Sequence, residues 1–159
     1  MKLRFFTSAP HQTKKAGEIL AKEILNTALG KKALVLALVG DLGGGKTTFI
    51  QGLARGLGIK EKILSPTFII MRKFLISHNL PLRTVQFLNF YHLDCYRIEK
   101  AKDVLDLGFK EIVSDPQNIV AIEWADRIKK IIPRGTIWVN FEFVDKNKRK
   151  IVVESKNGR

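Results

Sequence analysis

The residues best suited to chemistry in this chain concentrate in one short stretch, Gly40-Asp41-Leu42-Gly43-Gly44-Gly45-Lys46-Thr47, with Thr48 directly after it. The stretch meets G-x-x-x-x-G-K-[ST] at every fixed position. Glycines there let successive backbone N–H groups turn inward and form a nest for an anion. A helix beginning at the end of the loop adds the positive end of its dipole at the same point. Lys46 then supplies a point charge for outer phosphates, and the Thr47 hydroxyl is suited to ligate magnesium. An ordinary strand-to-helix turn would only be weakened by three consecutive glycines. The pattern therefore predicts a nucleoside triphosphate with Mg2+ on residues 40–48.

Magnesium held by one hydroxyl and phosphate oxygens still needs further oxygen ligands. Acidic residues at the C-terminal ends of neighbouring buried strands could supply them. Two places qualify. Ile119-Val120-Ala121-Ile122-Glu123-Trp124 is an apolar run ending in Glu123, laid out like a Walker B segment with Glu for the usual Asp, and Phe90-Tyr91-His92-Leu93-Asp94 ends in Asp94 in the same way. His11, His78 and His92 are too scattered for a metal site and are assigned to surface or core.

The elements that must position these groups follow from the pattern of apolar residues. Lys2 to Phe6 is predicted as a strand, and Lys14 to Leu29 as an amphipathic helix ended by Gly30. Ala33 to Val39 is continuously apolar, as expected of a central strand covered on both faces. Thr47 to Leu57 is the helix after the loop. Thr67 to Leu75 and Val85 to His92 are predicted strands joined by the turn-prone Ser77-His78-Asn79-Leu80-Pro81. Lys102 to Ile112 is a helix, Asn118 to Ile122 a buried strand, and Asp126 to Ile132 a short helix stopped by Pro133. Alternation around Val139, Phe141 and Phe143, a turn at Asp145-Lys146-Asn147-Lys148 and a strand at Lys150 to Glu154 complete the chain. The sum is one α/β domain over residues 1–159, with a mixed, mostly parallel central sheet flanked by helices.

Composition sets bounds. The 159 residues fit one ordinary domain, and no apolar run approaches the ~20 residues of a membrane span. The N-terminus has no secretory signal pattern, so a cytoplasmic location is expected. Cys95, the single cysteine, can form no internal disulfide and is expected to pack inside. The formal charge of +13, from 28 Lys and Arg against 15 Asp and Glu, favours polyanionic partners such as nucleic acid. A plainly solvated lysine-rich surface accounts for it equally well, because no basic stripe or aromatic platform is evident.

Four segments occur in one order: the glycine loop through Thr48, Ser65-Pro66-Thr67-Phe68, His92-Leu93-Asp94-Cys95-Tyr96-Arg97 and Ile122-Glu123-Trp124. Together they resemble the TsaE family, small ATPases of the bacterial pathway to threonylcarbamoyladenosine in tRNA, and the resemblance spans nearly the whole chain. It implies a P-loop α/β fold and an ATP hydrolysis that is weak alone. It also implies partnership with the TsaB and TsaD proteins, which modify adenosine 37 of ANN-decoding tRNA, with the isolated protein a monomer. By the same resemblance, Lys46 and the loop from Gly40 and Asp41 through Gly43, Gly44, Gly45 and Thr48 would bind phosphates, and Thr47 with Glu123 would hold Mg2+. Asp94 would act beside the γ-phosphate, Thr67 would sense it, and Trp124 would shield the site or serve the core. One departure is Met71-Arg72-Lys73-Phe74, where the family carries acidic residues before the aromatic.

Two other functions fit the loop. A small-molecule kinase would normally have an arginine-bearing lid, and no Arg-rich insertion is evident apart from the short expected hairpin near Leu80. A non-catalytic, nucleotide-gated module could bind tRNA through the positive surface. A GTPase is disfavoured, since Asn147-Lys148-Arg149-Lys150 lacks the acid of a guanine-reading motif.

Overall fold

The computed structural model describes residues 1–65, 69–77 and 87–155. Its strands are β1 (Lys2–Thr7), β2 (Leu34–Gly40), β3 (Met71–Leu75), β4 (Asn89–Asp94), β5 (Asn118–Glu123), β6 (Ile137–Phe143) and β7 (Arg149–Ser155). The helices are α1 (Pro10–Leu25), α2 (Lys46–Gly56), α3 (Ala101–Leu105) and α4 (Phe109–Ser114), with a 3-10 helix at Ala125–Ile131.

The strands form one seven-stranded sheet in the order β1-β7-β6-β2-β5-β4-β3. The four central strands β6, β2, β5 and β4 pair in parallel, while β7 and β3 pair antiparallel to them and β1 antiparallel to β7. Most strands thus share one direction, and the mixed, mostly parallel α/β architecture expected from the sequence is what the chain adopts. Among the described residues no helix is long and apolar enough to cross a membrane.

The apolar run of β2 follows from this placement. Leu36 and Leu38 face one core with α1 and α2, and Val35 and Ala37 face a second with α3, α4 and the 3-10 helix. A strand buried on both sides has no polar face to show, so its sequence does not alternate. On the first face α1 and α2 approach through Gly17 and Gly52, where a side chain of any size would run into the backbone of the facing helix. This close contact fixes α2, whose first turn carries Lys46 and Thr47.

Several element boundaries differ from expectation. Helix α1 spans Pro10–Leu25, not 14–29: Pro10 sits in its first turn, where a missing N–H costs nothing. Its end is set by Asn26, whose N–H reaches the Lys22 and Glu23 carbonyls, and by the Thr27 hydroxyl, which donates to the Ile24 carbonyl at 2.7 Å. Gly30 lies beyond the helix and does not end it. The helix expected over 102–112 is two, because Gly108 takes the left-handed conformation (φ +82°) between α3 and α4. Of the strand expected over 67–75, Met71–Leu75 is β3 and residues 69–70 are not strand; of that expected over 85–92, residues 87–88 are not strand and β4 runs Asn89–Asp94; residues 66–68 and 78–86 lie outside the described set. The antiparallel pairing of β3 with β4 agrees with the expected hairpin. The short helix expected over 126–132 is the 3-10 helix.

Candidate functional site

Strand β2 ends at Gly40 and α2 begins at Lys46, so the loop between them lies at the C-terminal edge of the parallel strands. Gly43 (φ +75°) and Gly45 (φ +101°) occupy the left-handed region, which other residues enter only at a cost. At Gly44 a Cβ would stand 2.9 Å from the Asp41 carbonyl, which already accepts the Gly44 N–H at 3.0 Å. The loop therefore keeps its close turn only with glycine at these places. No side chain caps the N-terminus of α2. The first N–H groups of a helix have no partner within it, and those of α2 follow directly on the loop.

Lys46 is 5% exposed. Its Nζ donates to the carbonyls of Gly40 at 2.6 Å and Asp41 at 2.9 Å, and it lies 4.0 Å from the centre of the Trp124 ring. Burial lowers the Lys46 pKa from the usual lysine value, and the charges of Glu123, Asp94, Asp41 and Asp126 work in the opposite direction. Gly40 and Asp41 thus meet Lys46 through their backbone. Thr48 lines the recesses on both sides of the loop.

The two expected acids stand opposite each other in the β4–β5 ladder, Asp94 against Glu123. Both Glu123 carboxylate oxygens lie 2.9 Å from Thr47 Oγ1, which donates to them, and Oε1 also bonds His92 Nε2 at 2.8 Å. Glu123 is 3% exposed and His92 fully buried. Asp94 is half-buried: Oδ2 accepts from the Ser65 hydroxyl at 3.1 Å and Oδ1 from the Tyr96 backbone N–H at 3.0 Å. The structure brings Lys46, Thr47, Asp94 and Glu123 to one site; Thr67 lies outside the described residues.

The hydroxyl of Thr47 against the Glu123 carboxylate is an all-oxygen donor set suited to a hard divalent cation such as Mg2+. Among the described residues no three His, Cys, Asp or Glu side chains gather as a self-sufficient metal site. A cation here would complete its shell with phosphate oxygens or water, the habit of magnesium in nucleotide sites.

These groups line a recess of about 530 Å³ that also takes in Ser65, Ile70, Tyr96 and Trp124. Trp124 follows Glu123 with a left-handed backbone (φ +56°), and its ring meets that of Tyr96 in a tilted contact, with centroids 5.0 Å apart. It forms a wall over Lys46 and at the same time packs, partly buried, against the core beneath α3 and α4. A smaller recess of about 270 Å³ lies across the loop, with Ser8, Thr13, Lys146, Asn147 and Arg149 around it. Cys95 is buried, as expected, and burial together with Asp94 pushes its thiol up to about 12.

The residue that sequence reasoning missed is His92. A signal was present: His92 and Asp94 are two apart on one strand and so share a face. What spacing within β4 could not give is that β5 lies alongside and carries Glu123 to the same place.

The chain matches the family model for threonylcarbamoyl adenosine biosynthesis protein TsaE over residues 7–151. It is 34% identical over 157 residues to the tRNA threonylcarbamoyladenosine biosynthesis protein TsaE of Bacillus subtilis, covering 99% of this chain and 88% of that one. It is 35% identical over 119 residues to the protein of the same name from Treponema pallidum, covering 75% and 80%. The crystal structure of Bacillus subtilis YdiB superposes with a TM-score of 0.70 at 28% identity, covering 98% of this chain and 86% of that one. The matched span contains the glycine loop, both acids and His92. The chain therefore belongs to the TsaE family, and its role lies in the biosynthesis of threonylcarbamoyladenosine in tRNA.

Proposed function

We propose that the loop binds ATP with Mg2+ and that the site hydrolyses it, in the service of a TsaB/TsaD-type transferase acting on tRNA in the cytoplasm. The observation that carries this reading is the Thr47–Glu123 pair at 2.9 Å beside a buried lysine whose ammonium rests on the loop's own carbonyls. Lys46 is desolvated in advance, so exchanging two neutral carbonyls for phosphate oxygens strengthens its hydrogen bonds. The N–H groups of the loop and of the first turn of α2 hold the phosphate chain. Thr47 and Glu123 hold the magnesium, which neutralises charge on the outer phosphates when bound. Asp94 reaches the same recess from β4 and orients the attacking water, with Ser65 setting its carboxylate. Trp124 and Tyr96 keep bulk water from Lys46. The nucleoside end occupies the smaller recess beside Asn147 and Arg149, on the side of the loop away from the acids. The net charge of +13 suits a protein that works on a complex containing tRNA.

The test is ATP turnover by the wild type and Lys46→Ala, alone and with TsaB, TsaD and tRNA. The wild type should turn over slowly alone and faster in the complex, and Lys46→Ala should do neither. Equal turnover by both proteins would remove the loop from the reaction.

A further inference from the structure

We propose that His92 is a positioning residue that fixes the Glu123 carboxylate in one orientation, leaving Oε2 as the oxygen presented to the cation. The inference rests on the magnesium role proposed above for Thr47 and Glu123. His92 lies in the middle of β4 and is fully buried. Its strand neighbours on the same face are Phe90, part of the core under α1 and α2, and Asp94, at the site. An apolar side chain would fill such a position without desolvating polar atoms. The imidazole instead brings two nitrogens into the interior. Nε2 bonds Glu123 Oε1 at 2.8 Å, while Nδ1 is, among the described residues, the buried side-chain polar atom left without a partner. Leaving a lone pair unpaired costs less than leaving a buried N–H unpaired, so the proton sits on Nε2 and points at Glu123.

The carboxylate is held unevenly as a result. Oε1 takes the His92 N–H as well as the Thr47 hydroxyl, and Oε2 faces the Thr47 hydroxyl alone. The Thr47 bond is the one that must adjust when its oxygen turns to a cation. The His92 bond need not change, because it approaches from inside the sheet. It is then the contact that stops the Glu123 carboxylate from rotating, in the way outer partners orient the ligands of metal sites.

Two variants separate this role from simple packing. His92→Phe keeps a ring and removes the donor, whereas His92→Gln keeps an N–H donor at a similar reach. Binding of a slowly hydrolysed ATP analogue is measured with magnesium and with EDTA. The wild type should bind more tightly with magnesium. His92→Phe should lose about tenfold of that magnesium-dependent gain while matching the wild type in EDTA, and His92→Gln should recover most of it. A wild-type gain in His92→Phe, or an equal loss in both variants, overturns the proposal. No magnesium dependence in the wild type would instead overturn the magnesium reading itself. Imidazole nitrogen NMR of the wild type needs neither variant to fold for its reading. The proposal requires one His92 signal in the Nε2–H form that persists when magnesium and the analogue are added; an Nδ1–H form, or loss of the Nε2–H signal on loading, contradicts it.

Discussion

Glu123 and Asp94 end adjacent parallel strands and face each other across one ladder, yet their surroundings are opposite. Glu123 is 3% exposed and receives donors from two fixed elements, Thr47 on α2 and His92 inside β4. Asp94 is half-buried and takes its donors from the loop residue Ser65 and from Tyr96, just past its own strand. A carboxylate held from within the sheet keeps its geometry whatever the loops do; one held by a loop follows that loop. The pair therefore divides into a carboxylate held by α2 and β4 and one held in part by Ser65.

The contrast can be broken by substitution. Glu123→Ala should reduce turnover about 100-fold or more, the scale of a lost charge-assisted contact of about 3 kcal/mol. It should also lower the stability of the nucleotide-free protein by about 1–3 kcal/mol, because buried His92 loses its partner; thermal unfolding reads this directly. Asp94→Ala should reduce turnover by a comparable or smaller factor while leaving stability within about 0.5 kcal/mol, as expected of a partly exposed group. Equal destabilisation by the two variants would erase the distinction. Ser65→Ala should slow turnover only about 3- to 10-fold, one hydrogen bond of about 0.5–1.5 kcal/mol, with no change in unfolding temperature.

The smallest effect is electrostatic. Burial lowers the Lys46 pKa, and of the charges that raise it Glu123 is the largest contributor and Asp94 the next. Glu123→Gln removes the stronger of these and should lower the Lys46 pKa further than Asp94→Asn does. On the proposed reading, in which the ammonium meets the phosphates, the alkaline limit of nucleotide binding should move to lower pH in both variants, and more in Glu123→Gln. Nitrogen NMR of the lysine side chains in the nucleotide-free proteins measures the order of the two shifts, and the reverse order would contradict the stronger influence of Glu123 on Lys46.

The loop, α2 and the buried strands were legible because local rules determine them. Glycine at Gly43 and Gly45 admits the left-handed backbone that the loop requires, and the continuously apolar run from Ala33 to Val39 fits a strand covered on both faces. The ends of α1 were misjudged because apolar spacing does not register Pro10, whose fixed φ and missing N–H suit a first turn, or the Asn26 cap, which acts through backbone hydrogen bonds. The break at Gly108 was missed because Val104, Phe109 and Val113 all remain buried on either side of it, so the apolar pattern runs on through the kink. At the site, the strand-end acids could be found from one chain segment at a time. The Thr47–Glu123 and His92–Glu123 bonds could not, since they depend on β5 lying between β2 and β4, an order set by packing of the whole sheet. Thr67 keeps its expected role as a proposal.

Titration calorimetry of the wild type and Lys46→Ala with ATP and magnesium asks whether the loop from Gly40 to Thr47 is a triphosphate site at all. The wild type should bind one nucleotide per chain, with affinity about 100-fold above the variant if Lys46 contributes about 3 kcal/mol as a charged donor. No heat of association in the wild type, with or without TsaB and TsaD, would contradict the assignment, as would equal affinity in the two proteins.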